Sequence, residues 1–565
     1  MINKKSSPKL STIILGLLTI ILLVCGLVYA LGDNVYSNFK SFEKVAEEIN
    51  SRYVEKVDSK DLIRAGIKGM TGILDPYSEF LDKKSLGYLI EDTQGEFEGL
   101  GIEIDVRKDY IVIVSPLEGT PAFRMGLQAG DKIIEIEGQS TKGISPEEAL
   151  SKLRGKKGTA VNLTVLRDGL DRPMKYSIIR DVIEIKSVPY YGTTQDGIGY
   201  IRLNRFAETS PNEIKQALEQ LKKSNPKGII LDLRSNPGGL LSSAVEIAGF
   251  FLGKEKLIVE TKGRDITQNR KFQYSQEALC PDLPLAVLVD RGSASASEIV
   301  AGAIQDWDRG IIVGDTTFGK GLVQTLINLN DGSALKLTTA KYYIPSGRLI
   351  QRPIEKEADS TNTSNINTLP DTSKKQSEKE IFFTKKGRKV YGKGGIVPDV
   401  EVEWEKSNSL EFGLLRQQMF FEFALYYTAQ NKDIPKDFTA DDKIIEQFRE
   451  FLKKKDFKFF TPYQMELDKL KQSLKEDSSS TVELDKSLNG LSLLLDKEKE
   501  REYDQSREYI KWKIKEEILS KVYGREAMYR YVWIKWHPEI LKAIELLGQQ
   551  NKYRTLLSTG KGGKP

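Results

Sequence analysis

The spacing of apolar positions changes several times along this chain, and each change marks an element. Residues 10–31 form an uncharged apolar run of 22 residues. At about 1.5 Å per residue it can span the roughly 30 Å hydrocarbon core of a bilayer. Lys4, Lys5 and Lys9 lie in the preceding segment (1–9), which has no acid. That places the N-terminus in the cytoplasm by the positive-inside tendency, with the body outside. A cleaved signal ending near Val28-Tyr29-Ala30 is the alternative, but the run is long for one, which favours an uncleaved anchor. Phe39, Phe42, Val45, Ala46 and Ile49, then Leu62, Ile63, Ile67 and Met70, keep helical spacing. Residues 34–89 therefore read as a helical arm, interrupted at Leu74-Asp75-Pro76-Tyr77.

Residues 90–182 switch to strand periodicity, with alternations at Ile111/Ile113 and Ile134/Ile136 read as half-buried strands. Ser145-Pro146-Glu147-Glu148 supplies an N-cap, a proline at N1 and an acid at N3, opening a helix through Leu150 and Leu153. In 183–354 short apolar strands alternate with amphipathic helices. They include 199–203, the continuous run 227–233, 285–289 and 311–313, with helices over 210–224 and 242–252. That order predicts an α/β layered core with strands buried on both faces. Residues 355–380 are polar and nearly devoid of apolar side chains, an insertion. Residues 381–405 return to strand-and-turn composition and rejoin the core. The remaining 406–565 are helical and highly charged. Leu410, Leu414 and Phe421 are expected along one face, with a helical hairpin over 467–495 and a solvated face over 501–565.

Length and composition narrow the function. A chain of 565 residues holds several domains. Its net charge of +5, from 85 basic and 80 acidic residues, gives no footing for nucleic acid. Of the two cysteines, Cys25 and Cys280, the first lies in the apolar run, so no internal disulfide is expected. The single histidine, His537, sits far from the other polar motifs and reads as a helix-end residue before a proline. A histidine base and a histidine- or cysteine-ligated zinc site are thereby disfavoured.

The chemistry gathers where strands end. The apolar strand at 285–289 runs into Ser293, Ser295 and Ser297, and the strand at 227–233 into Arg234-Ser235-Asn236-Pro237-Gly238-Gly239-Leu240. In open α/β sheets, sites collect at such carboxyl ends. Ser295-x-x-Glu298 is also a capping box, so a purely structural serine is the competing reading. Without histidine, a serine nucleophile needs a lysine base, whose pKa must fall from about 10.4 to about 7, roughly 5 kcal/mol of environmental bias. Lys320, in Phe318-Gly319-Lys320-Gly321-Leu322-Val323, has apolar neighbours, glycines and no adjacent acid. If a helix starts there, Gln324 shares its face and orients the amine.

Two resemblances follow. Gly99-Leu100-Gly101-Ile102, Met125-Gly126-Leu127 and Ala129-Gly130-Asp131, followed by the late helix, resemble a PDZ domain. This implies that backbone amides of Leu100, Gly101 and Ile102 receive a peptide's terminal carboxylate, the peptide adding beside the 102–106 strand. The ordered set of helical arm, PDZ domain, 232–239, 292–298 and 317–324, with 25 residues from Ser295 to Lys320, resembles the carboxyl-terminal processing peptidases. That resemblance implies an α/β protease core (crotonase/ClpP-like layered fold) with an inserted mainly-β PDZ domain; the N-terminal transmembrane helix is read from the run at 10–31, while the helical C-terminal extension after about 406 and the insertion at 355–380 depart from the family's pattern. It also implies Ser295 as nucleophile, Lys320 as base, Gln324 as support for that lysine, and Gly238, Gly239 and Ala296 as oxyanion hole. Glu298, Asp306 and Thr317 match further positions, with structural roles expected. Arg154 matches an arginine coupling peptide binding to the active state. The implied enzyme is a serine endopeptidase without metal or organic cofactor, acting on envelope proteins captured by their C-termini. The helical arm and extension leave open a homo-oligomer or an activating partner. Two other classes compete: a PDZ-bearing scaffold on an inactive protease fold, and a crotonase-like acyl-CoA enzyme.

Overall fold

The computed structural model describes residues 35–107, 109–168, 170, 172–354, 380–403, 407–476 and 481–558. The predicted anchor at 10–31 and all of the insertion at 355–380 except its last residue lie outside the described residues. Among the described residues no helix is long and apolar enough to cross a membrane. The chain divides into two compact units, one of residues up to 82 with 326–337, the other of 83–325 and 338–565. In the first, helices Val35–Arg52 and Ser59–Gly72 lead to strand Glu79–Leu81, which pairs antiparallel with residues 334–336. Asp58 caps the second helix by accepting from Lys60 N–H.

The second unit opens with helix Lys83–Gln94 and a six-stranded antiparallel sheet, five strands of which form one path while the sixth, Gln139–Ser140, pairs with Lys132–Ile136 alone. The five are β1 (Ile102–Arg107), β2 (Tyr110–Pro116), β3 (Lys132–Ile136), β4 (Ala160–Leu166) and β5 (Met174–Ile179), in that spatial order. Helix α1 (Pro146–Leu153) closes it, with the Ser145 hydroxyl accepting from Glu148 N–H as the cap pattern requires. The expected inward pair Ile134/Ile136 is corrected to Ile133 and Ile136, because a register shift between Ile133 and Glu135 breaks strict alternation. β1 is an edge strand, leaving one side open to an added strand.

The larger core is a six-stranded sheet. Its strands are β6 (Tyr190–Thr193), β7 (Gly199–Arg202), β8 (Ile229–Asp232), β9 (Leu285–Val289), β10 (Ile311–Gly314) and, beyond the ribbon β11 (Leu322–Asn328) and β12 (Ala334–Tyr343), β13 (Val400–Glu401). The spatial order is β6-β7-β8-β9-β10-β13, all parallel except β6. Helices α2 (Ser210–Lys223), α3 (Leu241–Leu252) and α4 (Ala296–Asp306) bury one face through Leu231, Val287, Ile247 and Val300.

The C-terminal region departs from the expected pattern in two places. Helix α5 (Ser409–Arg416) stops and α6 (Met419–Gln430) restarts at Gln418, whose φ of 55° breaks the helical phase. Phe420 rather than Phe421 therefore joins Leu410 and Leu414 in the core. Nor is 501–565 a solvated face. After α7 (Arg507–Met528), helix α8 (Pro538–Gly548) and helix Gln550–Leu556 cover the second face of the six-stranded sheet. Ile540, Ala543, Leu546 and Tyr553 meet Ile230, Ala286, Leu288 and Val313 there. A parallel sheet needs both faces covered, and these helices supply the second. The expected hairpin is present as helices Pro462–Glu476 and Val482–Gln505.

Candidate active site

β8 and β9 are neighbours, with Asp232 opposite Leu288, so the turns following them lie side by side. Asn236 fastens them together. Its side-chain amide donates to the Leu203 carbonyl at 2.9 Å and its Oδ1 accepts from Gly238 N–H at 2.9 Å. Its carbonyl accepts from Ala294 N–H at 3.0 Å and from the Ser297 hydroxyl at 2.8 Å. The Ser293 hydroxyl donates to the Leu233 carbonyl at 2.8 Å. Ser293 and Ser297 are both fully buried, each spent on fastening the turns. Ser295 alone of the three remains partly exposed.

Ser295 has φ 53° and ψ −112°, a conformation that L-residues seldom adopt. The Gly238-Gly239 turn explains the crowding around it. Gly238 has φ 101°, and a Cβ there would lie 2.9 Å from both Ser295 Cβ and Ala296 N. Only glycine permits that approach. Gly238, Gly239, Ser295 and Ala296 thus form one corner. The Gly238 N–H is taken by Asn236, whereas Ala296 opens α4, where N–H groups have no carbonyl within the helix.

Glu298 joins the serine to the lysine. Its Oε2 accepts from Ser295 N–H at 2.8 Å and from Lys320 N–H at 2.9 Å, and its Oε1 from Gly319 N–H at 2.7 Å and from the Thr317 hydroxyl. Thr317 in turn accepts from Ile396 N–H at 2.7 Å. Burial pushes the Glu298 carboxyl up to about 7, against the downward pull of those donors. The Ser295–Glu298 capping box is present. However, the Glu298 N–H already donates to the Ser295 carbonyl at 2.9 Å, so the helix start does not depend on the serine hydroxyl. A second bridge was not foreseen in the sequence: the buried Tyr342 hydroxyl, from β12, lies against the carbonyls of both Ser295 (3.1 Å) and Lys320.

Gln324 is placed differently from the helical expectation. Residues 322–328 form strand β11, so no helical turn relates it to Lys320, and its amide donates to Thr338 Oγ1 at 3.2 Å on the neighbouring strand. Asp306 lies at the far end of α4, accepting from Arg348 Nη2 and Ser346 N–H, each at 2.9 Å. That buried pair fixes the helix end and stands apart from the serine corner.

A charged network that sequence reading missed lies behind the glycine turn. Asp232 is buried between Arg202 (2.8 Å) and Arg234 (2.6 Å) and accepts from Tyr200. Burial would raise its pKa, but the two guanidiniums outweigh it and hold the carboxyl well below its usual range. Arg234 also reaches α8, meeting Glu539 at 2.9 Å and His537 Nδ1 at 3.1 Å. Burial, with Arg234 beside it, holds His537 neutral and well below its ordinary pKa. The lone histidine is thus a helix-end residue as expected, but it is buried.

At the edge of the β1–β5 sheet, Gly101 has φ 77° and sits against Thr120, whose hydroxyl donates to its carbonyl. Leu100, Gly101 and Ile102 form the loop opening β1. Arg154 lies at the other end of α1, paired with Glu91 and stacked over Tyr88 (4.7 Å) and Phe97 (4.8 Å).

Known proteins match this architecture segment by segment. The profile of peptidase family S41 matches residues 197–360, that of the PDZ domain 89–166, and the C-terminal helical domain of a probable PDZ-protease 410–547. The N-terminal domain of the activating protease CtpB matches 30–85. A carboxy-terminal-processing protease of Bartonella bacilliformis is 42% identical over 56% of this chain and 74% of its own. A probable CtpA-like serine protease of Staphylococcus aureus is 39% identical over 60% of this chain and 68% of its own. The solved structure of a photosystem II D1 C-terminal processing protease is 27% identical, covering 65% of this chain and 88% of its own, with a TM-score of 0.35. From the 42% identity across 74% of the Bartonella relative, the chain belongs to the carboxy-terminal-processing proteases of family S41 and is a serine peptidase carrying a PDZ domain.

Proposed function

We propose that the protease cuts by a Ser–Lys dyad, with Ser295 as nucleophile and Lys320 as base. The observation that carries this reading is the double bridge of Glu298 and Tyr342 to the main chain of both residues. As Ser295 Oγ attacks the scissile carbonyl, its proton passes to the neutral Lys320 amine. The oxyanion is received by main-chain N–H groups of Ala296 and the Gly238-Gly239 turn; Gly239 is the donor of that pair, since the Gly238 amide is bonded to Asn236. Lys320 then returns the proton to the departing amine. Water, deprotonated by the same lysine, hydrolyses the acyl-enzyme.

Gln324, Thr317, Glu298 and Asp306 act as positioning residues. The PDZ loop at Leu100, Gly101 and Ile102 captures the substrate's terminal carboxylate, and Arg154 couples that capture to the protease core. The apolar run at 10–31 anchors the enzyme with its body outside the cytoplasm, so that envelope proteins are its substrates. Ser295→Ala and Lys320→Ala should each abolish cleavage of an unfolded test protein while leaving thermal unfolding unchanged. Full activity in either variant would overturn the dyad.

A further inference from the structure

Between the edge strand β1 and helix α1 the PDZ unit holds a groove, and the C-terminal helices form its roof. The groove between them is open to solvent and has a volume of about 580 Å³. Ile102, Ile104 and Leu150 line it from the PDZ side, and Leu415, Phe420 and Phe421 from α5 and α6. It is hollow, so the helical domain covers the groove without filling it. A peptide whose carboxylate sits at the start of β1 must run back along that strand toward Arg107. At about 3.3 Å per residue, the Asp105–Arg107 end meets side chains about four to six residues before the terminus.

The charges at that end are unevenly matched. Arg107 is spent on Asp105 (3.3 Å) and Glu422 (3.5 Å), with its guanidinium 4.2 Å from the Phe421 ring centre. Lys455 pairs with Glu422 at 3.1 Å and Arg525 with Glu103. Two acceptors have no donor. Gln418 gives its amide N–H to Asp105 at 2.7 Å, and its Oε1 is buried without a hydrogen-bond partner. Glu517, on α7, lines the same cavity and makes no hydrogen bond or ion pair among the described residues. Its neighbour Glu516 takes both Lys513 and Trp533. Burial, and Glu516 beside it, push the Glu517 carboxyl up to about 7. A buried amide oxygen beside a half-buried carboxylate calls for a donor from outside the chain, and a cationic one suits a carboxylate best.

We infer that the C-terminal helical domain completes the peptide site: a lysine or arginine about four to six residues before the substrate's C-terminus donates to Glu517 and to Gln418 Oε1. This rests on the tail-capture reading proposed above, and it makes Glu517 a specificity-determining residue outside the PDZ domain.

The test uses the full chain carrying Ser295→Ala and short dye-labelled peptides with an apolar C-terminal residue. The peptides differ only in lysine or norleucine at each upstream position, and binding is read by fluorescence anisotropy. The lysine peptide should bind about 10-fold tighter at one of those positions. Adding Glu517→Gln should erase that preference and leave norleucine-peptide affinity unchanged, while Glu517→Lys should favour a glutamate peptide instead. Equal affinity of lysine and norleucine peptides at every position, or a preference that survives Glu517→Gln, overturns the inference alone. If no peptide binds, or if amidating the C-terminus makes no difference, tail capture itself fails and the inference falls with it.

Discussion

At the scale of single residues, the serine cluster divides its labour by burial. Replacing Ser297 by alanine removes the hydroxyl bond to the Asn236 carbonyl and should cost about 1 kcal/mol of stability with activity reduced but present. A comparison of urea unfolding with turnover, set beside Ser295→Ala, checks the contrast. Glu298 is the more sensitive position. Its two oxygens accept four donors, and glutamine offers one acceptor oxygen while turning an NH2 toward the rest. Glu298→Gln should therefore lower both stability and turnover. Its pH dependence has a definite sign. A carboxyl raised from 4.5 to about 7 contributes stability that is complete below about 4.5 and lost as pH rises through about 7, on the order of 3 kcal/mol. The stability gap between the parent protein and Glu298→Gln should accordingly be wider at acidic pH than at alkaline pH in denaturant titrations. The serine, the glutamate and the lysine were legible in sequence because each sits in a short local motif. Tyr342 was not, since its hydroxyl reaches the pair from a strand whose spacing from Lys320 carries no local signal.

Among elements, the core strands lie where the sequence places them, whereas the segment after Lys320 and the helices after residue 501 do not behave as expected. Val323, Thr325 and Ile327 alternate β-branched residues with their neighbours, a strand pattern overlooked because the lysine-to-glutamine spacing suggested a helix. The α8 contact escaped for a different reason: Arg234 and Glu539 are some three hundred positions apart, and such a pairing leaves no periodicity. It has a mechanical role. Arg234 leads directly into the Asn236–Gly239 turn, so α8 helps to hold the wall of the serine corner. Glu539→Gln keeps the shape and removes the charge. It should lower kcat about 10-fold with KM unchanged, since the glycine turn is loosened and the PDZ groove is untouched. Steady-state kinetics on one peptide decides this, and a KM rise with constant kcat would count against it.

At the scale of the whole molecule, the helical extension is a structural layer of the protease. A chain ending near residue 405 would bare Tyr200, Ile230, Ala286, Leu288 and Val313 together, an apolar surface that soluble proteins do not expose. It should be recovered as aggregate, while the full chain stays in solution; size-exclusion chromatography distinguishes the two. The polar exterior of the charged helices hid this role from sequence reading, because the residues turned to the sheet are scattered over short helices, from Tyr529 and Ile534 through Ile540, Ala543, Leu546 and Leu547 to Tyr553 and Leu557. There is a consequence for the timing of biosynthesis. The Ser295 and Lys320 motifs are translated long before α8, yet among the described residues the second face of the sheet is covered mainly by residues from Met528 onward. At about 5–20 residues per second, that interval is of order 10–40 s. A ribosome-bound chain therefore carries Ser295 and Lys320 on an unfinished scaffold, and the proposed dyad should stay inactive until the last helices emerge.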